Sequence, residues 1–217
     1  MGELFAVFGR DDFLSQLLVH VELSVVALLI GVAIAMPIAL ATFRSPFWAA
    51  VAINTGNIGR AVPSLAILAL VFPLLGFGFT PSLVALTLLA IPPILINAST
   101  GLSQVNPQVI DAARGMGLSK GQILRGIQLP IAAPVIFAGI RTSAVQVVAS
   151  ATLATFVGGG GLGDLIVLGL QRNDPAVLVG GSLTIAVLAI ITELTFGLLE
   201  RTFTPKGLLV ARKRRGK

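Results

Sequence analysis

Asp111-Ala112-Ala113-Arg114-Gly115-Met116-Gly117-Leu118-Ser119-Lys120-Gly121-Gln122-Ile123-Leu124-Arg125-Gly126-Ile127-Gln128-Leu129-Pro130 is the long polar, small-residue interruption in an otherwise apolar chain. Its boundaries are written in local signals. Asn106 before Pro107 is the pattern of an N-cap followed by proline at the first helical position, where a missing N–H has no intrahelical acceptor to lose. A helix is expected over 107–116, ended by Gly117, which supplies the left-handed turn. Ser119 and Gln122 form a capping box, and Leu118 and Ile123 stand at the spacing of a hydrophobic staple. A second short helix therefore starts at once, and is expected to stop at Leu129-Pro130. Ala112, Ala113, Gly115 and Gly117 leave little side-chain bulk, so another protein's backbone can come close to this surface.

The flanks decide the setting. With 55% apolar and 11% charged residues and a mean hydropathy of +0.97, the chain is too apolar for a soluble domain of 217 residues. The fold class is all-α, a polytopic membrane protein forming one domain. A net charge of +6 could suggest nucleic acid, but seven of the fifteen basic residues lie from Arg201 onward. That is the pattern of a cytoplasmic tail, 201–217, beside an anionic membrane surface, so no nucleic acid partner is expected. The absence of cysteine excludes disulfides, thiol catalysis and cysteine metal sites, and the single His20 leaves no imidazole cluster. Residues 1–16 lack the basic start and small-residue cleavage site of a signal peptide and read as a short amphipathic segment.

About 20 apolar residues cross a hydrocarbon core. Five stretches meet that length: 17–42, 47–75, 82–98, 131–156 and 176–199, with the polar loop 104–130 between the third and fourth. As one helix, 47–75 would be about 43 Å long, more than a crossing needs. It is interrupted by Asn54, Asn57, Gly59, Arg60 and Pro63, so a break is expected near 59–64, its loosened backbone held inside the bundle. Five crossings put the termini on opposite sides. Placing the tail inside puts Arg44, Arg114, Lys120, Arg125 and the seven tail residues in the cytoplasm against Arg10 and Arg172 outside, eleven to two. The expected arrangement is a multi-pass protein of the bacterial plasma membrane, N-terminus outside, C-terminus and 104–130 loop inside.

Within that loop, Asp111-Ala112-Ala113, three residues, Gly117, nine residues, Ile127, one residue and Leu129-Pro130 resemble the EAA loop of ABC importer permeases, with Asp111 where the motif usually has glutamate. The resemblance implies that the loop is a coupling helix docking into a groove of a separate ABC ATPase, through Asp111, Ala112, Ala113, Gly117, Ile127, Leu129 and Pro130. It also implies a second permease chain, identical or homologous, and an extracytoplasmic solute-binding protein. This chain would bind no cofactor, ATP and Mg belonging to the ATPase. Three further stretches, Gly59–Ala66, Ile140–Ala144 and Ala151–Ala154 through Gly161–Ile166, resemble the osmoprotectant branch, which carries glycine betaine, choline or proline betaine. Methionine-type importers share much of the architecture, so a methionine-importer-permease-like fold is expected, and an amino-acid cargo is the alternative.

Little else carries chemistry. Gly158-Gly159-Gly160-Gly161-Leu162-Gly163-Asp164 invites a phosphate-loop reading, but no Lys-Ser/Thr follows and no strand precedes it. A tight turn that lets helices pack closely is the better account. Ionisable groups at membrane depth need a partner or water. Arg141 and Glu193 fall at similar depths, so a structural ion pair is the default and a pathway role the alternative. Arg60, with Pro63 and Ser64 at the broken span, is a candidate for lining the pathway or for packing. His20 and Glu22, near a span end, read as solvated anchors. Quaternary ammonium groups are held by Trp and Tyr cages, yet the chain has no Tyr and only Trp48, so cargo selection is expected on the binding protein. Two rival classes remain: an ion-coupled secondary carrier using Arg141 and Glu193, which the lack of inverted repeats disfavours, and a non-transporting membrane anchor.

Overall fold

In a computed structural model the chain is helical throughout its ordered elements, and the structure describes Gly9 and residues 11–203. The helices are α1 (Phe13–Thr42), α2 (Pro46–Ala61), α3 (Ser64–Leu75), α4 (Phe79–Ser103), α5 (Pro107–Gly115), α6 (Lys120–Ile123), α7 (Leu129–Ser150), α8 (Gly163–Gln171) and α9 (Pro175–Phe203). A π-turn, Leu124–Gln128, joins α6 to α7, and a 3-10 segment, Ala151–Val157, continues α7. Four helical stretches are long and apolar enough to cross a membrane, and α2 with α3 makes a fifth, bent by 90°. The expected break falls at Val62-Pro63, where proline removes a backbone donor and holds the preceding residue extended (ψ 124°).

The remaining boundaries depart from the sequence expectation in instructive ways. The third crossing extends to Phe79–Ser103 and the fifth to Pro175–Phe203. The connection after 158 contains a helix of its own, α8. The second hairpin helix does not stop at Leu129-Pro130: helical structure runs on from Lys120 to Val157, 38 residues. The π-turn explains this. Leu129 N–H bonds to Leu124 O, the wider i to i+5 spacing, so the coil is already loosened where Pro130 has no N–H to give. The amphipathic segment expected over 1–16 lies largely outside the described residues, as does the tail from 204; from Phe13 the chain is already α1.

The core is organised around α4, which packs against α1, α2, α3 and α7. Of its most apolar window 61% is buried, against 39% for α1 and 22% for α9. Between helices in lipid the hydrophobic effect gives little, so close backbone approach and interhelical hydrogen bonds must supply the attraction. Ser24, Ala27, Gly31, Ala35 and Ala39 form the buried stripe of α1. A methyl group placed on Gly31 would lie 2.6 Å from Ala90 Cβ, and one on Gly139 of α7 2.9 Å from Pro93 O. The Ser143 hydroxyl donates to Ala90 O at 2.9 Å and Asn97 Nδ2 to Pro93 O at 2.8 Å. Ser143 thereby bridges α7 to α4, while Asn97 bonds back one turn within α4, a helix whose ladder Pro92 and Pro93 deprive of two donors.

Two ends result. At one, Ser103 Oγ donates to Phe43 O at 3.4 Å and the α5–α6 hairpin projects. At the other, Gly78 N–H donates to Val157 O at 2.6 Å and the glycine turn 158–161 closes against α1. The bent α2–α3 pair starts beside Phe43 and ends beside Gly78, so it connects the two ends once.

Candidate functional site

The hairpin is built by its own caps. Asn106 Oδ1 accepts from Gln108 N at 2.9 Å with Pro107 at the first helical position. α5 closes with Gly117 N to Arg114 O at 2.9 Å and Leu118 N to Ala113 O at 3.2 Å, the paired bonds of a Schellman turn, with Gly117 at φ 80°. Ser119 and Gln122 then cap each other, Ser119 N to Gln122 Oε1 at 2.8 Å and Gln122 N to Ser119 Oγ at 3.3 Å. The elbow thus holds its angle through bonds between near neighbours.

Its surface divides the sequence-derived residues. Asp111, Ala112 and Gly117 are exposed, and Ile127, Leu129 and Pro130 are half-buried. Ala113 departs from the expectation of a docking contact: at 1% exposure it is turned into the protein and cannot meet a partner's side chain. A helix shows a partner only part of its circumference, and Ala113 is a helical neighbour of Asp111 on the inner side. Met116, 74% exposed beside Gly117, is an apolar knob the motif did not single out; a large apolar side chain at a polar turn was the available signal. Asp111 and Arg114 pair at 3.2 Å on the surface.

The pathway candidates fall in two places. Arg60 and Pro63 are exposed and Ser64 half-buried at the α2–α3 bend, beside exposed Asn54, Thr55 and Asn57. Arg60 makes no ion pair with another described residue. Arg141 of α7 instead pairs with Glu193 of α9, and its second nitrogen lies 3.3 Å from Glu200. Glu200 was missed in the sequence, although seven residues after Glu193 places it on the same helical face. His20, expected as a solvated anchor, is fully buried, its Nε2 2.9 Å from Val148 O. Gln16 Oε1 accepts from Gly161 N at 2.9 Å. Both tie α1 to the glycine turn and the helix before it, because α1 begins four residues before Leu17 and draws the polar residues into the bundle. Among the described residues no three His, Asp or Glu side chains cluster as metal ligands would.

The family profile of the binding-protein-dependent transport system inner membrane component matches residues 27–205. The chain belongs to that family. This permease is 41% identical to the choline transport system permease protein OpuBB of Bacillus subtilis over 189 residues, 87% of each chain. It is 40% identical to the carnitine transport permease protein OpuCB of Listeria monocytogenes over 202 residues, 93% of each. Among solved structures, the inward-facing MetNI methionine ABC transporter has a chain that superposes with a TM-score of 0.77 at 21% identity, covering 89% of the permease and 96% of that chain. That likeness shows the fold, a multi-pass helical permease, and nothing about cargo.

Proposed function

We propose that this permease subunit carries a small osmoprotective solute, such as glycine betaine, choline, carnitine or proline betaine, in an importer driven by a separate ATPase, and that the α5–α6 hairpin is where the ATPase grips it. The observation that carries this is mechanical. Because α6, the π-turn and α7 form one helical run from Lys120 to Val157, a load applied at the exposed elbow of Asp111, Ala112, Met116 and Gly117 is delivered along α7 into the α4 core. ATP and Mg would be bound by the ATPase. The names of the relatives, with choline and carnitine printed at about 40% identity, support the cargo class.

The hairpin end is assigned to the cytosol, with the N-terminus outside. Arg44, Arg114, Lys120 and Arg125 stand at that end, whereas Asp164 and Asp174 accompany Arg172 at the other, in keeping with the positive-inside rule. A second permease chain, identical or homologous, would cover the exposed polar face of α2, so that Arg60, Pro63 and Ser64 face a pathway between the two chains. Arg141 has both carboxylates of α9 as partners, which supports a structural role over the shuttling charge that an ion-coupled carrier would need. With Trp48 exposed at the start of α2 and no Tyr in the chain, recognition of the solute falls to a separate extracytoplasmic binding protein.

Uptake of labelled glycine betaine at high osmolarity, in cells with and without this chain, tests the reading. Uptake that depends on the chain and fails on ATP depletion is expected. Chain-dependent uptake that survives ATP depletion and collapses with the ion gradient would establish the carrier class instead.

A further inference from the structure

Between the hairpin and the ends of α1 and α4 lies a cleft of about 300 Å³. It lies behind the exposed elbow rather than on it. Three cations line it: Arg44 from the α1–α2 turn, Arg114 from α5 and Lys120 from α6. No carboxylate does. Arg114 is already engaged by Asp111 on the exposed side, but Arg44 and Lys120 make no ion pair with another described residue. The inner wall includes Gln128, at 7% exposure the most buried polar side chain of the hairpin. Its amide makes no hydrogen bond with another described residue. That amide opens onto the cleft, where water or a bound anion can reach it. Phe43, Leu102 and Val105 supply apolar walls, which strengthen the attraction of the cations for an anion relative to open water.

We propose that this cleft binds a phosphate-bearing anion. Arg44 and Lys120 supply the charge, and the Gln128 amide N–H donates to a phosphate oxygen. The shared chemistry admits two sources, the phosphodiester headgroup of an anionic lipid and free phosphate from the aqueous side. Gln128 is the last residue of the π-turn, so an occupied cleft links the hairpin to the α1–α2 turn and stiffens the joint through which load would pass. The site depends neither on the cargo nor on which end faces the cytosol.

The test uses the detergent-solubilised permease in its native assembly, titrated with dioleoylphosphatidylglycerol, with dioleoylphosphatidylcholine and with inorganic phosphate. Bound lipid is counted by native mass spectrometry and bound phosphate by phosphorus NMR line broadening. Preferential binding of phosphatidylglycerol is expected, weakened roughly thirtyfold in the double variant Arg44→Gln/Lys120→Gln, from the contribution of each basic residue at an anionic surface. Gln128→Leu should weaken it severalfold, and Arg201→Gln, which does not line the cleft, should leave it unchanged. Arg44 and Lys120 are exposed, so the double variant keeps its fold, checked by an unaltered elution volume. Phosphate binding that is lost in the same variant, without lipid preference, would assign the site to a soluble anion. Equal binding of both lipids together with no binding of phosphate, or an anion affinity indifferent to the double substitution, would overturn the proposal.

Discussion

Within the hairpin itself the hydrogen bonds close inside five residues of chain, from Asn106 to Gln108, from Ala113 to Leu118 and between Ser119 and Gln122. At the glycine-turn end they join His20 to Val148, 128 residues away, and Gln16 to Gly161, 145 away. Glycines differ in the same sense. Those of the hairpin at 115, 117, 121 and 126 have open space around the missing Cβ, whereas Gly159 and Gly163 press against Ser82 and the Thr152 carbonyl. A self-capped hairpin can keep its shape while a partner pulls on it; the opposite end has a shape only when the bundle is assembled around it.

Substitutions should separate the two ends, and the largest difference is expected from matched glycine replacements. Gly163→Leu puts a side chain into the backbone carbonyl of Thr152, which cannot yield as a flexible side chain could. Immunoblots of membrane fractions should show little folded protein, while Gly121→Leu accumulates normally. Equal amounts of both would break the contrast.

Next comes Gly117→Trp. A residue with a Cβ at φ 80° costs about 1–2 kcal/mol, too little to prevent insertion, but the elbow's face is filled. Normal membrane levels with uptake reduced by an order of magnitude or more, and ATP hydrolysis by the assembly no longer tied to transport, are expected. Unimpaired uptake would remove the hairpin from its proposed role.

His20→Leu leaves Val148 O without its side-chain donor in a buried place, a loss of about 1–3 kcal/mol. Its signature should be a lowered thermal midpoint in detergent with no change at the hairpin. Asn106→Ala, by contrast, removes a cap worth about 1 kcal/mol. Hydrogen exchange over residues 108–110 should quicken while the thermal midpoint stays put. Smallest of all, Asp111→Asn breaks an exposed ion pair of the kind that contributes little; unfolding should be unaltered, so any transport defect it causes reports on the partner.

The same contrast accounts for what could be read in advance. Asn106-Pro107, Gly117 and Ser119–Gln122 encode their structure by nearest-neighbour chemistry, and each appears in the hairpin where its residue type requires. The break at Pro63 was legible for the same reason, since proline acts on its own and the preceding residue. Pro130 misled because its effect depends on the turn before it: a π-turn absorbs the missing donor, and no residue pattern in 124–128 announces one. His20 misled because a polar residue near a span end is solvated only if the span begins there. Ala113 was grouped with its exposed neighbours because a motif gives spacing along the chain, whereas burial depends on which side of α5 faces the bundle.

Apolar runs and proline and glycine positions determined that this chain is a helical bundle of four membrane-length helices and a bent pair with a polar hairpin among them, because each of those signals acts over a few residues or by counting. Which faces meet was decided by the tertiary structure alone: the burial of His20, the union of Arg141 with two carboxylates of α9, the uninterrupted run from hairpin to α7, and the cationic cleft around Gln128. Those depend on distances between residues far apart in the chain, set by how closely α1 and α7 can approach α4, and no local pattern carries that information.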